Sequence, residues 1–349
     1  MSSILKKLKH SDLCGRGGAC FPTALKWEMV KKAPGKVKYV VCNASEGEPG
    51  VQKDKYILEN YADQVIEGMK IAIKFLDAKE GFIYLNPGYY QCLHSHLEDI
   101  IADLPIKVIA KAEEAGYIGG EETAVLNALE KRRIEPRLKP PFPTTNGLWG
   151  APTLINNVET FYDIALIESG EYKEERFYTI SGDCLWDGVY RLPESYTIRR
   201  ILEETDNYPD FLFCVQVGGA ASGEMLNISQ LNQEVAGSGA IVIYSLKRHH
   251  PIGLMRRWVD FFVRESCGQC TPCREGIFRL YQILYSQEVD WVTMALILEN
   301  LAQASFCGLG CGAAVPFSSL IYNILPFSPE WQKKIGLDNF KKICQSFKI

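Results

Sequence analysis

The chain has 349 residues, of which 47% are hydrophobic and 23% are charged, and its formal net charge is -4. This composition is typical of a globular protein with room for two or three domains, and the slightly acidic balance gives no reason to expect a nucleic-acid partner. The N-terminus lacks the apolar stretch of a secretory signal, and no run approaches the roughly 18 apolar residues of a membrane span. We therefore expect a cytoplasmic protein without direct membrane insertion.

The first segment, residues 1–175, alternates strand-like and helix-like patterns. Short apolar runs predict strands at 37–42, 81–85 and 107–110, and apolar residues at helical spacing predict a helix over 61–75. Strand, helix and strand in this order indicate an α/β sandwich with partly parallel strands.

The second segment, residues 176–247, has a different pattern. Strands are predicted at 177–181, 188–192, 213–217 and 239–244. Residues 197–204 are predicted to form a helix, with Thr197 as its N-terminal cap. This arrangement indicates a small mixed α+β module.

The third segment, residues 248–349, is predicted to be helical. Apolar residues three and four apart indicate helices over 254–262, 276–285 and 289–303. We expect a helical bundle that carries the main group of cysteines.

Twelve cysteines are a high number for a cytoplasmic chain, and in a reducing compartment they indicate metal or redox chemistry rather than disulfides. Cys267, Cys270 and Cys273 follow one another with two residues between neighbours. Thiolates at this spacing converge on one iron–sulfur cluster and occupy three corners of a 4Fe–4S cube, so the fourth ligand must come from elsewhere. Cys307 is the best candidate, and Cys311 is its rival.

Zinc is the alternative, because structural zinc sites also use cysteines separated by two residues. Such sites usually pair two separate knuckles, or cysteine with histidine, whereas here three thiols overlap in one turn. We therefore favour the iron–sulfur cluster. The cysteines that stand alone are expected to be buried small residues: Cys14, Cys42, Cys92, Cys184, Cys214 and Cys344.

A glycine-rich loop near the N-terminus, 15–18, has three glycines around Arg16 and precedes a helix predicted to begin near Pro22 or Thr23. The glycines let the backbone approach a phosphate, Arg16 can neutralise it, and the first amides of the helix would also face the anion. The loop does not match the G-x-G-x-x-G fingerprint of dinucleotide folds. Taken alone, a plain surface turn is an equal alternative.

Acidic, amide and glycine residues follow the predicted strands in loops at 43–50, 116–123 and 155–159, and a stiff proline-rich segment at 136–143 presents Phe142. Ligands bind at strand ends in α/β sheets, and these residue types suit a polyol, a ribose or an isoalloxazine edge. A solvated loop is the alternative for each acidic pair taken singly. Their coincidence with the glycine loop and the cysteine motif favours a cofactor site.

Together these motifs closely resemble the NADH-oxidising flavoprotein subunit of respiratory complex I and its relatives in NAD-linked hydrogenases and formate dehydrogenases. The motifs occur in the family's order and cover nearly the whole chain: Gly-Arg-Gly-Gly-Ala (15–19), Asn-Ala-x-Glu-x-Glu-Pro-Gly (43–50), Gly-Glu-Glu-Thr (120–123), Pro-Arg-Leu-Lys-Pro-Pro-Phe-Pro (136–143), Asn-Asn-Val-Glu-Thr (156–160) and Cys-Gly-x-Cys-x-Pro-Cys-Arg-Glu-Gly (267–276). The resemblance implies a multidomain α/β protein. It would comprise an FMN-binding α/β sandwich at 1–175, a ubiquitin-like α+β module of SLBB type at 176–247, and a helical bundle with a 4Fe–4S cluster at 248–349.

The resemblance also implies which residues bind FMN and NADH in one cavity. The phosphate end of FMN would be held by Gly15, Arg16, Gly17, Gly18 and Lys26. Its ribityl chain and ring would be held by Asn43, Glu46, Gly120, Glu121, Asn156 and Asn157. Phe21 and Phe142 would stack on the adenine of NADH, and the nicotinamide side would be lined by Glu48, Tyr117, Glu122 and Lys139. No catalytic acid or base is expected, because hydride passes between the two cofactors.

The sequence departs from the family pattern at several motif positions. The family usually has glycine where Cys20 and Ala24 stand, aspartate at Ser45 and Cys311, and an aromatic residue at Met29. The changes at 20, 29 and 45 support an alternative function, an FMN/4Fe–4S electron relay or scaffold with a degraded nicotinamide site. A ferredoxin or hydrogenase partner would supply the electrons of such a relay.

The leading hypothesis is an NADH dehydrogenase subunit of a larger oxidoreductase. It takes hydride from NADH onto FMN and passes single electrons to a 4Fe–4S cluster and on to a partner, or runs the reverse reaction and reduces NAD. The expected partners are other iron–sulfur subunits, including a thioredoxin-like 2Fe–2S subunit, in a complex that can be peripheral to a membrane. A flavin-linked bifurcating assembly is a third hypothesis.

Overall fold

The computed structural model describes residues 3–349, which divide into two compact units. The first unit comprises the residues up to Gly47 together with Gln52–Phe177, and the second comprises Glu48–Val51 together with Tyr178–Ile349. The four residues that follow Gly47 therefore pack with the second unit, although their neighbours on both sides belong to the first.

A four-stranded parallel sheet forms the centre of the first unit. Its strands are β1 Tyr39–Ala44, β2 Glu80–Leu85, β3 Ile106–Ala110 and β4 Thr153–Asn157, in the spatial order β3-β2-β1-β4. β1 is almost completely buried, which explains why its sequence is a continuous apolar run rather than an alternating one. The predicted α/β sandwich with parallel strands is confirmed.

Helices cover this sheet and connect its strands. They are α1 Ser3–His10, α2 Thr23–Lys32, α3 Lys53–Asn60, α4 Ala62–Leu76, α5 Pro87–Ile101, α6 Glu122–Leu129, the short α7 Pro143–Asn146 and α8 Val158–Ser169. α4 and α8 pack so closely that a Cβ on Gly68 would overlap the backbone of Phe161.

The second unit contains a five-stranded mixed sheet, which confirms the predicted α+β module. Its strands are β5 Glu175–Gly182, β6 Gly188–Pro193, β7 Phe213–Val217, β8 Glu224–Leu226 and β9 Ala240–Ser245, in the order β6-β5-β9-β7-β8. β5 and β9 are parallel, whereas β7 is antiparallel to both β8 and β9. Helix α9 Ile198–Glu204 is capped by the Thr197 side chain, which accepts from the amide of Arg200, as predicted.

The rest of the second unit is helical, as predicted. Its helices are α10 Pro251–Glu265, α11 Thr271–Tyr285, α12 Trp291–Ala304, α13 Gly308–Ser319, α14 Pro329–Ile335 and α15 Leu337–Phe347. A π-helical turn at Leu320–Ile324 continues α13.

One apolar helical run in the bundle contradicts a prediction made from the sequence about membrane spans. Gly308–Phe327 is a continuous run of 20 residues with a mean hydropathy of 1.4, and 61% of its most apolar window is buried. By length and composition this run meets the requirements of a membrane span, so the prediction that no run does so was wrong. Its burial is that of a core helix, and the Phe317 ring packs 5.4 Å from that of Trp258 on α10.

Candidate functional site

The strand order of the first unit creates a crevice between β1 and β4. The chain leaves β1 towards β2 on one side and reaches β4 on the other, and ligands bind outside the carboxyl ends of strands at such a switch point. Asn43 and Asn157 are register partners at these two ends. Both were predicted as cofactor ligands, and the sheet brings them side by side.

The glycine loop lies against the same edge. It is closed by a short antiparallel bridge, in which Gly15 N donates to Phe21 O at 2.9 Å and Thr23 N donates to Leu13 O at 2.9 Å. A Cβ on Gly17 would lie 3.3 Å from that of Asn157, so the loop passes close to the end of β4. Residues 16–19 form a turn, and within residues 3–349 no amide of 17–20 makes a hydrogen bond of good geometry to a protein acceptor. Successive amides of this kind form a concave site for an anion such as a phosphate.

Arg16 is buried beneath the loop. Its amide donates to Thr160 Oγ1 at 3.0 Å and its Nε donates to Asp163 Oδ2 at 3.0 Å. Burial lowers the pKa of Arg16, but the charges of Asp163 and Glu159 outweigh this effect, so the pKa is raised overall. Arg16 therefore anchors the loop to α8, a role that its position in the motif did not suggest.

A network of buried charges contacts Asn157 at the end of β4, and the sequence analysis did not find it. The Lys53 ammonium lies 2.7 Å from Asp54 Oδ1 and 3.1 Å from Glu159 Oε2, and it donates to Asn157 Oδ1 at 2.9 Å. Asn157 Nδ2 donates in turn to Asp54 Oδ2 at 2.7 Å. The network fixes the orientation of the Asn157 amide, because both ends of that amide are engaged.

The loop that follows β1 brings Asn43, Ser45 and Gly120 together. Asn43 and Gly120 were predicted as cofactor ligands, and Ser45 stands where the family usually has aspartate. Asn43 Nδ2 donates to Gly120 O at 2.8 Å, and the Ser45 hydroxyl donates to Asn43 Oδ1 at 2.6 Å. A Cβ on Gly120 would lie 2.8 Å from Ser45 Oγ, so a larger residue at 120 would displace the Ser45 hydroxyl. Ser45 is thereby turned towards Asn43.

Glu46 is directed towards the start of α3. Its carboxylate accepts from Asp54 N at 3.0 Å and from the Tyr89 hydroxyl at 2.8 Å. Burial is the main cause that raises the pKa of Glu46 to about 7, and the charge of Asp54 adds to it. Near pH 7 the folded protein therefore holds Glu46 in comparable protonated and charged fractions.

This pKa predicts a pH-dependent effect of Glu46→Gln. The folded pKa of about 7 lies above the ordinary 4.5. The native state therefore loses stability as the pH rises from 4.5 to about 7, and Glu46 causes no such loss below pH 4.5. Glutamine removes this loss, and the difference in unfolding midpoint between variant and parent is expected to be more favourable at about pH 8 than at about pH 5. Glu59→Gln, on the exposed side of α3, should give the same difference at both pH values. An equal effect of Glu46→Gln at both would contradict the assignment.

A second group of predicted ligands lies around the start of α6. The Glu121 carboxylate caps this helix, accepting from Thr123 N at 2.8 Å and Ala124 N at 3.0 Å. Lys139 Nζ donates to Glu121 Oε1 at 2.8 Å and to Glu122 Oε1 at 2.9 Å. These ion pairs hold the proline-rich segment against α6.

Lys26 joins this group from α2. Its ammonium lies 3.7 Å from Glu122 Oε2, donates to Ile155 O at 3.1 Å and stands 5.9 Å from the Phe21 ring centroid. Burial is the main cause that lowers the pKa of Lys26, and the charge of Glu122 opposes it. Phe21 is 40% exposed and Phe142 is 49% exposed, so both rings are accessible to a ligand.

The remaining predicted residues of the first unit lie along the same edge. Tyr117 lies beside Gly47, with its ring 3.8 Å from a Cβ built there. Asn156 is buried in β4, and in the amide orientation that satisfies its neighbours it accepts from Trp27 Nε1 at 3.2 Å.

Glu48 belongs to the second unit. One carboxylate oxygen accepts from Ala221 N at 3.1 Å, Ser222 N at 2.9 Å and Ser222 Oγ at 3.1 Å. The other oxygen, Oε2, is buried and has no hydrogen-bond partner among the described residues. Glu46 and Glu48, two positions apart in one motif, are therefore fixed by different units.

The cysteine motif lies between α10 and α11 in the second unit. Cys270 occupies the N-cap position of α11, Cys273 is buried in the first turn of that helix, and Cys307 occupies the N-cap position of α13. Burial raises the pKa of Cys273 to about 11, Ser266 lowers it through a hydrogen bond of 3.3 Å, and Cys270, Cys307 and Cys267 raise it further. The other three predicted ligands therefore lie close enough to Cys273 to act on it electrostatically.

These four cysteines are suitable ligands for an iron–sulfur cluster. α11 and α13 both begin at a cysteine of this group, so their positive N-terminal ends face the thiolates and stabilise negative charge there. Within residues 3–349 no three His, Cys, Asp or Glu side chains are close enough to hold a single metal ion, and a cube of four irons holds its thiolates further apart than one ion does. Cys311 is directed elsewhere, since its thiol donates to Ser305 O at 3.5 Å.

Gly310 allows α13 to approach the cluster motif. A Cβ at this position would lie 2.6 Å from Ser305 Cβ and 3.3 Å from Cys273 Cβ. Gly310→Ala is therefore expected to push Cys307 away from Cys273 and to cost about 1–3 kcal/mol, the usual cost of overpacking. Iron content and the unfolding midpoint should both fall.

Gly312→Ala is the matched control, two residues further along α13. Its nearest neighbour would be Ser222 Cβ at 3.7 Å, an ordinary contact, and alanine favours helix by about 1 kcal/mol over glycine. We expect unchanged iron content and equal or higher stability. Equal loss of iron in both variants would contradict the role of Gly310.

The other cysteines only partly match the prediction that they are buried. All twelve cysteines in the described residues are thiols, and Cys42 and Cys214 are buried as predicted. Cys92 is exposed on α5, and Cys14, Cys184 and Cys344 are only partly buried, so the prediction was wrong for these four. Cys20 raises the pKa of Cys14, after burial, which is the main cause.

Comparisons with known proteins agree with this geometry. Residues 8–166 match the family model described as the Nuo51 FMN-binding domain, and residues 253–333 match the NADH-ubiquinone oxidoreductase-F iron-sulfur binding region. An F subunit of the NADH-quinone oxidoreductase of Rhizobium meliloti (strain 1021) is 34% identical, covering 89% of this chain and 84% of the relative. The F subunit of the Streptomyces coelicolor enzyme is 33% identical, covering 95% of this chain and 83% of the relative.

A solved structure of NAD+-reducing [NiFe]-hydrogenase in the H2-reduced state superposes with a TM-score of 0.85 at 30% identity. The alignment covers 95% of this chain but only 62% of the hydrogenase chain. The fold class predicted from the sequence is thus confirmed, and the two oxidoreductase relatives are matched over most of their length. The chain belongs to the family of NADH-quinone oxidoreductase F subunits.

Proposed function

We propose that this chain transfers hydride from NADH to FMN and passes single electrons through a 4Fe–4S cluster to a partner subunit, or runs the reverse reaction. The observation that carries the proposal is the combination, in one chain, of an amide-lined loop at a strand switch point and four grouped thiols. The first fits a phosphate-bearing cofactor and the second fits an iron–sulfur cluster. Both agree with the FMN-binding and iron-sulfur family models.

The glycine loop is proposed to hold the FMN phosphate. The amides of 17–20 make no hydrogen bond of good geometry to a protein acceptor among the described residues, and Lys26 adds a positive charge nearby. Arg16 keeps the loop seated through Asp163, so its charge is shared between that carboxylate and the anion. Gly15 contributes its amide, which donates to Phe21 O and closes the base of the loop.

The strand-end amides are proposed to orient the ribityl chain and ring. Asn43 and Asn157 are already fixed by Gly120 and by the Lys53 network, so they would not have to be ordered when FMN binds. Asn156, Glu46 and Glu121 complete the proposed set. When bound, FMN accepts two electrons from NADH as hydride and can release them singly, which the protein side chains cannot do.

NADH is proposed to bind beside the α6 group. The exposed rings of Phe21 and Phe142 offer stacking surfaces for adenine, and Glu122 and Lys139 form the polar wall with Tyr117.

Cys267, Cys270, Cys273 and Cys307 are proposed as the cluster ligands. The assignment is supported by their mutual effect on the Cys273 pKa and by the two helix ends that face them. Residues 1–175, 176–247 and 248–349 would then serve as the FMN/NADH, SLBB-type and cluster segments. We further propose a cytoplasmic location and a thioredoxin-like 2Fe–2S subunit as the electron acceptor.

Anaerobic reduction of the reconstituted protein tests this function. NADH should bleach the flavin absorbance of protein loaded with FMN, iron and sulfide, and Phe21→Ala and Phe142→Ala should raise the KM for NADH without lowering FMN content. Dithionite is the control, since it reduces both groups without a nicotinamide site. Bleaching by dithionite but not by NADH would reject NADH oxidation and support the relay hypothesis.

A further inference from the structure

Two thiols flank the glycine loop at its closed base. Cys14 and Cys20 stand on opposite arms of the bridge in which Gly15 N donates to Phe21 O, and Cys14 itself pairs with Pro22. Because Cys14 pairs with Pro22, Cys20 lies diagonally across the bridge from Cys14, two positions nearer the tip of the loop.

Cys20 affects the pKa of Cys14. Burial raises the pKa of Cys14, and a side-chain hydrogen bond and charge from Cys20 raise it further. Cys20 is exposed, whereas Cys14 is half-buried. Cys20 also has a φ of +48°, in the left-handed region that disfavours side chains.

We propose that Cys14 and Cys20 form a redox-active dithiol, which peroxide converts to a disulfide across the base of the loop and which then weakens FMN binding. The exposed Cys20 sulfur attacks a peroxide oxygen, which gives a sulfenic acid and releases water. The Cys14 sulfur displaces the hydroxyl group from that sulfenic acid, forming the S–S bond and releasing a second water. The two thiols lose two electrons and two protons, and one peroxide is reduced to two waters.

Formation of the S–S bond should disturb the phosphate site. A disulfide brings its sulfurs to about 2 Å, much closer than a thiol contact, and the residues between the two cysteines include the amide donors at 17–19. Arg16 cannot follow, because its side chain and amide are fixed to Asp163 and Thr160. The backbone of Gly17, Gly18 and Ala19 would therefore have to move when the disulfide forms. This effect on FMN rests on the proposed function, whereas the disulfide itself does not.

Peptide mapping of the loaded full-length protein tests the dithiol directly. Trypsin cleaves after Lys9, Arg16 and Lys26, so the two cysteines fall in separate peptides, 10–16 and 17–26. After treatment with hydrogen peroxide these peptides should appear as one disulfide-linked species that dithiothreitol separates. Absence of the linked species while Cys20 becomes oxidised would overturn the proposal.

A measurement of FMN release separates the formation of the disulfide from its proposed effect on FMN binding. Peroxide should release FMN, seen as a rise in free-flavin fluorescence, from the parent protein and from the control Cys92→Ser, whose exposed thiol lies on α5. Cys14→Ser and Cys20→Ser should retain FMN under the same treatment. Linked peptides without FMN release would overturn the effect on FMN alone. A parent protein that binds no FMN would refute the proposed function, and the peptide assay would still decide whether the dithiol exists.

Discussion

Cys307→Ala is expected to abolish the 4Fe–4S cluster, whereas Cys311→Ala is expected to leave it in place. Cys307 occupies the N-cap position of α13 and is one of the three thiols that act on buried Cys273. Cys311 lies one turn further along, and its thiol is directed at Ser305 O. A cube that keeps only three thiolates loses an iron corner and with it the cluster type.

Iron and acid-labile sulfide content, together with the electron paramagnetic resonance of the reduced protein, measure this effect. The Cys307 variant should contain no 4Fe–4S signal, and the Cys311 variant should match the parent. Because the two residues lie at the same end of α13, a general loss of folding would affect both variants. A Cys311 variant without the cluster and a Cys307 variant that retains it would reverse the ligand assignment.

Lys53→Met is expected to cause the largest loss of stability in the first unit. Lys53 is 2% exposed, and its ammonium is paired with Asp54 and Glu159, which are themselves buried. Burial lowers the pKa of Lys53, but the surrounding carboxylates raise it above its ordinary value, so the residue stays charged. Removal of the cation leaves two buried carboxylates without their shared ammonium partner, which costs about 3–5 kcal/mol.

Hydrogen exchange of the β1 amides reports on this unit alone. A loss of about 3–5 kcal/mol accelerates exchange by roughly a hundredfold to a few thousandfold. Lys55→Met, on the exposed side of α3 in a 3.6 Å pair with Glu59, is the control and should change stability by no more than about 0.5 kcal/mol. Similar exchange rates in the two variants would show that the network does not hold the unit together.

The elements that depend on local pattern could be predicted from the sequence. β7 at Phe213–Val217 and the Thr197 cap follow from β-branched runs and from side-chain capping, which need no knowledge of the fold. The three cysteines of the motif could also be predicted, because their spacing alone brings them together. The assignment of the flavin and nicotinamide residues rests on the resemblance and stays a prediction.

The contacts that depend on packing could not be predicted. Lys53 and Asp54 have the local pattern of a solvated pair, and only the packing of α3 against α8 brings Glu159 to the Lys53 ammonium. Arg16 and Asp163 are 147 positions apart, and nothing local marks them as partners. The placement of Glu48 in the second unit depends in the same way on a distant turn, whose amides bind its carboxylate.

The most direct test of the central claim is whether NADH reduces the cluster through FMN. Under anaerobic conditions, NADH should produce the electron paramagnetic resonance signal of the reduced 4Fe–4S cluster in protein that contains FMN. The same protein stripped of FMN should give no signal with NADH, and the signal should return when FMN is added. Cluster reduction by NADH without FMN, or none in the FMN-loaded protein that dithionite can reduce, would contradict the proposed path of electrons.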